Sequence, residues 1–291
     1  MQQTKTIAMK FYFISTQHLE QRLWFKDIQD FKVGMNYVAA ATAVTGVNIL
    51  AFILMSNHVH FLLQCSREDA ERFINLFKTL YGRYYRKKYG GEKLLKHNDV
   101  DIQEISSSNE GLERTIAYIL QNSVAARVCL YCSDYPWGSG ACFFSMRSVP
   151  SFKVCEMSAR ARNKLLKSKV EVPGTWLVCN DGYILPESYI CKSFVESLFR
   201  SPSRMDYFLK NSSKARRALE QNVPSFRDQV LSEAAKDLAF SLFHKQFDAM
   251  TGAEKSDYLK GLRWRFSADI NQICRVLNLS YEEASKLLDT V

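Results

Sequence analysis

Apolar positions crowd residues 9–16, where Phe11, Tyr12, Phe13 and Ile14 predict a first strand. Over residues 27–45 the apolar positions Ile28, Phe31, Val33, Met35 and Val38 return near helical spacing, so a helix follows. Residues 47–55 read as a second strand, Ser56 and Asn57 as a turn, and residues 58–65 as a third strand. The second and third strands therefore pair as a hairpin. Residues 68–89 form a long basic helix, and residues 100–105 alternate Val100, Ile102 and Ile105 as a fourth strand. Ser107, Ser108 and Asn109 with Glu110 mark the N-terminus of a helix running to about Arg127. The order βαββαβα is that of a split, ferredoxin-like α+β fold: an antiparallel sheet with helices packed on it.

The pattern changes past residue 150. Residues 158–169 are basic, Pro173 and Gly174 break them, and Gly182 to Pro186 reads as a turn or short extended piece. From Tyr189 the periodicity is helical, with breaks at Pro202, Pro224 and Gly252. The expected organisation is a first domain over 1–150 and an all-helical C-terminal appendage over 151–291. The last segment, 269–291, resembles a helix-turn-helix, with Cys274 as the small residue, Asn278 at the left-handed turn, and Ala284 and Leu287 packing the second helix. Glu282 and Glu283 open that helix and are unfavourable beside phosphates, so an ordinary helical hairpin competes with a DNA reader.

Composition narrows the partners. The 291 residues carry 39 Lys and Arg against 30 Asp and Glu, a net charge of +9, which favours a polyanion. The most apolar stretch, 38–55, is interrupted by Thr42, Thr45, Gly46 and Asn48, so no membrane partner is expected. No signal peptide is visible, which points to a cytoplasmic, nucleoid-associated protein. Of eight cysteines, Cys129 and Cys132 form one C-x-x-C without a second pair at zinc-ribbon spacing, so reduced thiols are expected. Between Arg72 and Tyr89 there is no acidic residue, and Arg72, Lys78, Arg83, Arg86, Lys87 and Lys88 give a cationic helix face. Tyr84 and Tyr85 stand among them and could stack on unpaired bases, so Arg83 to Lys88 is the candidate DNA-binding segment.

Two of only five histidines, His58 and His60, flank Val59 in the predicted third strand. Side chains two apart share one face of a sheet, so the two imidazoles stand together. Neutral imidazole is the commonest protein metal ligand, and the pair is half of a divalent-cation site.

The string Met55-Ser-Asn-His-Val-His-Phe-Leu-Leu63 resembles the histidine–hydrophobic–histidine motif of single-tyrosine transposases. The branch it looks most like is the REP-associated tyrosine transposases and their IS200-like relatives. Their usual Met-Pro-Asn-His-Val-His has Ser56 here in place of proline. Ala117-Tyr-Ile-Leu-Gln-Asn-Ser-Val124 and Asp134-Tyr-Pro-Trp-Gly-Ser139 resemble two further family blocks in order and spacing, with Ser123 and Gly138 replacing a proline and a serine. The likeness spans roughly residues 9–145, and residues 90–108 match poorly. It implies the same ferredoxin-like fold. It also implies Tyr118 as nucleophile, with His58, His60 and Asn122 as ligands of Mg2+ or Mn2+, and single-stranded or hairpin DNA as partner. A homodimer is compatible with it. The implied activity is a metal-dependent endonuclease and transposase working through a phosphotyrosine intermediate. Tyr118 and Asn122 lie one turn apart, on one helix face. Tyr81, Tyr84, Tyr85 and Tyr89 compete for the nucleophile. Two other readings stay open: a transposase-derived, non-catalytic DNA-binding regulator, and a metal hydrolase using water in place of tyrosine.

Overall fold

The computed structural model describes residues 10–16, 23–91, 100–126, 128–220, 228–266, 268 and 270–289. Its first half runs β1 (Lys10–Ser15), α1 (Ile28–Thr45), β2 (Asn48–Met55), β3 (His58–Cys65), α2 (Arg67–Tyr89), β4 (Asp101–Ile105) and α3 (Asn109–Ala125). The order is the one predicted, to within one or two residues at each end. Met9 and Arg127, expected at the ends of β1 and α3, lie outside the described residues.

Local chemistry sets these boundaries. Asp27 caps α1 through the Asp30 amide while the Asp30 carboxylate reaches back, a reciprocal box, and Gly46 ends the helix in the left-handed conformation at φ 69°. Ser66 and Ser108 cap α2 and α3 by accepting from the Asp69 and Gly111 amides.

The four strands form an antiparallel sheet in the order β2-β3-β1-β4. Phe61 points to one face, where it meets Phe73 and Phe77 of α2, and α1 packs beside α2. Its neighbour His60 must point to the opposite face, which α3 covers.

The outer edge of β2 is closed by two later segments. The Leu54 amide donates to Trp137 O (2.8 Å), the Ser139 amide to Phe52 O (3.0 Å) and the Cys191 amide to Ile49 O (2.8 Å). Tyr135 donates its hydroxyl to Leu54 O at 2.7 Å, and the Phe52 amide donates to Ser139 Oγ at 3.0 Å. The Tyr135–Ser139 signature is thus a staple on a strand edge that would otherwise offer unpaired backbone groups.

Past residue 150 come β5 (Ser151–Lys153), α4 (Ala159–Leu166), β6 (Leu177–Cys179), α5 (Lys192–Phe199), α6 (Pro202–Glu220), α7 (Asp228–Phe243), α8 (Gly252–Phe266), α9 (Ile270–Leu277) and α10 (Tyr281–Asp289). The expectation of an all-helical appendage needs correction: β5 and β6 pair antiparallel as a second small sheet. Three residues per strand are too few for a period of two to register in the sequence. One apolar core extends from Phe11 through Val154, Val178, Val195 and Phe199 to Phe208. A second core gathers Leu231, Leu238, Tyr258, Leu262, Ile273 and Ala284.

Asn278 joins α9 to α10 at φ 53°, in the left-handed region foreseen for it, and Ala284 is fully buried. Asp269 lies outside the described residues. The Glu283 carboxylate accepts from the Ser280 amide (3.0 Å) while the Glu283 amide donates to Ser280 Oγ (3.1 Å). Glu283 is therefore the return half of a capping box, which accounts for an acid at that position.

A β-carbon on Gly138 would meet Phe52 O at 2.7 Å and Ile53 Cα at 3.2 Å, both backbone. We expect Gly138→Ala to cost about 1–3 kcal/mol through forced backbone displacement at the β2 edge. Denaturant unfolding checks this, and an unchanged midpoint would show that the staple yields freely.

Candidate active site

β3 supplies the centre of the site. His58 stands opposite Met55, and His60 stands between Ile53 on β2 and Ser15 on β1. The two histidine rings meet edge to face at 4.9 Å. They are 3% and 0% exposed, so the pair is enclosed. Phe13 stacks on His60 at 5.4 Å. The turn that precedes the pair is held on two sides. Ser56 O accepts the Trp24 and Phe25 amides (2.9 and 3.0 Å), and the Ser56 hydroxyl donates to Arg265 O of α8.

α3 brings Tyr118 to the same face. The Tyr118 ring lies 5.7 Å from His60 and 5.8 Å from Phe13. Tyr118, His58 and His60 are thus gathered as the sequence suggested. Asn122 is placed differently from a ready ligand. Its amide group donates to Tyr118 O (2.8 Å) and Ile119 O (3.3 Å) of its own helix. With Tyr118 and Gln121 it lines a cavity of about 330 Å³ between α3 and α6, bordered on the α6 side by Leu209, Lys210 and Ser212.

Burial first, and the neighbouring His58 second, hold the His60 pKa well below the usual imidazole value. His60 is neutral at physiological pH, the form that ligates metals. Both its ring nitrogens are buried without a hydrogen-bond partner among the described residues, a state that a bound cation would relieve at one of them. Among the described residues no group of three or more His, Cys, Asp or Glu could hold a metal ion. Among the described residues, Asn122 of α3, one turn from Tyr118, offers an amide oxygen as a third ligand beside the two histidines. All eight cysteines are free thiols, and burial pushes Cys132 up to about 11, so the C-x-x-C offers no thiolate pair.

The basic helix departs most from expectation. Lys78 and Tyr85 are buried at 6% and 4% exposure, so neither is on the solvent face of the helix. Asp30, fully buried at the start of α1, accepts from the Tyr84 hydroxyl, the Lys88 ammonium and the Tyr89 hydroxyl, each at 2.7 Å. Lys88 also pairs with Asp27 at 2.6 Å. Of the six residues expected to contact DNA, Tyr85 is buried, and Tyr84 and Lys88 are bonded to Asp30. Arg83, Arg86, Lys87 and Lys88 are exposed, Lys88 while paired with Asp27 and Asp30. A charge run in sequence does not reveal which of its members meets an acid from a helix some sixty residues earlier.

The same network bears on the competing tyrosines. Burial foremost, then the bond to Asp30, raises the Tyr84 and Tyr89 pKa values. Tyr81 is raised by burial and donates to Trp24 O at 2.6 Å. These hydroxyls are spent as donors and disfavoured as phenolates.

Residues 8–100 match the family described as "Transposase IS200 like". The matched segment takes in β1, α1, β2, β3 and α2, with His58 and His60, and stops short of Tyr118 and Asn122. No curated protein matches the chain. A solved structure described as "Structure of the REP associates tyrosine transposase bound to a REP hairpin" is similar over 46% of this chain and 76% of that chain, at 11% identity and a TM-score of 0.33. A score that low carries no argument about this fold.

His60 yields an acid-stability expectation. Its folded pKa is depressed, so below the unfolded value of 6.5 the unfolded chain binds a proton that the folded chain refuses. Stability present above pH 6.5 is lost as the pH falls below it, at up to about 1.4 kcal/mol per pH unit. Unfolding midpoints of metal-free protein between pH 7.5 and 5 should fall more steeply for the wild type than for His60→Gln. Equal slopes would mean that His60 takes up its proton as readily in the fold as in the unfolded chain.

Proposed function

We propose that the chain is a metal-dependent tyrosine endonuclease and strand transferase, a transposase of the IS200-like type, acting on single-stranded or hairpin DNA. The observation that carries this reading is the meeting of Tyr118 with the enclosed histidine pair of β3, inside a fold whose first hundred residues match that family. Two imidazoles and an amide oxygen would hold a divalent ion with open positions left for substrate, and the nitrogen donors favour Mn2+ over the harder, oxygen-seeking Mg2+. His58 and His60 would hold it, with Asn122 as third ligand once its side chain turns from its own helix. Bound there, the ion would supply Lewis acidity toward the scissile phosphate.

The chain's own residues do the rest. The Tyr118 hydroxyl oxygen attacks phosphorus and gives up its proton to solvent. A P–O bond forms to tyrosine, the P–O3′ bond breaks, and the departing 3′ oxygen takes up a proton. The ester stays in the protein–DNA link, so a later hydroxyl can displace Tyr118 and rejoin DNA without a nucleotide cofactor. Arg83, Arg86 and Lys87 give the DNA backbone a cationic rim.

A second reading, a non-catalytic DNA-binding regulator, draws on the near-complete burial of both histidines. A covalent adduct separates the two. With Mn2+ and hairpin oligonucleotides, wild type should form a protein–DNA adduct that mass spectrometry maps to Tyr118. Tyr118→Phe should bind the same DNA with no adduct, and His58→Ala or His60→Ala should lose it by at least about 100-fold while staying folded. A wild type that forms no adduct on any hairpin favours the regulator. An adduct surviving Tyr118→Phe moves the nucleophile elsewhere, and a metal-dependent cut without any adduct identifies a water-using hydrolase.

Replacing Arg83, Arg86 and Lys87 together by Ala should reduce the log–log salt slope of single-strand binding by about 2, roughly 0.7 per phosphate released. Fluorescence anisotropy between 50 and 200 mM salt reads this. Lys88→Ala should instead lower the unfolding midpoint, since its partner Asp30 is buried.

A further inference from the structure

Asn57 sits in the two-residue turn between β2 and β3, with Met55 and His58 paired on either side. Turns of this length favour left-handed residues, and Asn is common there for that reason. Neither Ser56 nor Asn57 has positive φ in this structure. The backbone therefore does not call for asparagine at position 57. The side chain is fully buried, and its amide nitrogen finds no hydrogen-bond partner among the described residues. A buried, half-satisfied amide is destabilising, so its other half must do something that an apolar residue could not. That other half is Oδ1, 2.8 Å from His58 Nδ1.

We infer that Asn57 is a positioning residue: its side-chain oxygen accepts from His58 Nδ1–H, fixing the tautomer that leaves the Nε2 lone pair for the cation. The inference rests on the metal reading proposed above and deepens it. A carbonyl oxygen can face an imidazole nitrogen at this distance only if that nitrogen carries the proton. A neutral ring has one N–H, so Nε2 is then the coordinating atom. An amide turned over would donate to Nδ1, place the ring proton on Nε2 and close the coordinating position. The acceptor also holds the ring plane, as partners of metal-bound histidines do. Asn57 is covalently next to His58, so this orientation is set by the turn itself before any ligand arrives.

The test uses full-length, 15N-histidine-labelled, metal-free protein, with His58 assigned by the signal lost in His58→Gln. Long-range proton–nitrogen correlations should show His58 protonated at Nδ1. Asn57→Asp keeps an acceptor and should keep that tautomer, with Mn2+ affinity no weaker than wild type. Asn57→Leu is close in size and has no acceptor. It should release the tautomer and weaken Mn2+ binding, read by titration calorimetry, by about 10–100-fold. A wild-type His58 protonated at Nε2 overturns the inference. So does a folded Asn57→Leu with unchanged tautomer and affinity. A wild type with the expected tautomer that takes up no Mn2+ overturns the metal reading instead, and the two failures are distinct.

Discussion

The two-residue turn at Ser56 and Asn57 sets the register of β2 against β3, and that register decides which face the histidines occupy. Side chains alternate strictly along a strand, so a slip of one residue would send His58 and His60 to the α1–α2 face and Phe61 to the α3 face. The slip is prevented by apolar chemistry. Phe61 is seated among Phe52, Phe73 and Phe77. A charged or hydrated imidazole in that place would forfeit about 1.5–3 kcal/mol of aromatic burial and bury a polar group without a partner. The core thus enforces the site.

The edge staple extends this logic to β2. A strand with both faces buried but one edge open invites pairing with other chains. Tyr135, Trp137, Ser139 and Cys191 satisfy the backbone of residues 49–54 from that side. Gly138 is where the staple passes within contact of the strand backbone, and only a residue without a β-carbon fits. A sequence block that resembles a functional signature is here explained by strand-edge chemistry.

Much of the fold was legible because it rests on local signals. The periods of two and 3.6, the caps at Asp27, Ser66 and Ser108, and the left-handed Asn278 each act within a few residues. The histidine pair was legible for the same reason, since i and i+2 on a strand share a face. What was not legible depends on contacts distant in sequence. The bonds of Lys88 and Tyr84 to Asp30 were not legible, because nothing near them in sequence points to an acid on α1. Asn57 read as a turn residue because its bond to His58 is visible only once the ring orientation is known. β5 and β6 are too short to carry a period.

The helix that bears Tyr118 is held by residues the family match does not reach. Glu113, fully buried on α3, receives Arg204 of α6 through two bonds, at 2.5 and 2.8 Å. Eight residues along the same helix, the Gln121 amide group donates to Leu209 O at 3.1 Å. Glu113 and Gln121 bracket Tyr118, so α3 is pinned on either side of it by α6. A buried carboxylate without its guanidinium would be strongly unfavourable, so α3 cannot rotate Tyr118 away without breaking that pair. The distance between Tyr118 and His60 is therefore a property of the whole chain to at least Leu209. The sheet supplies the histidines, and the later helices decide where the tyrosine stands.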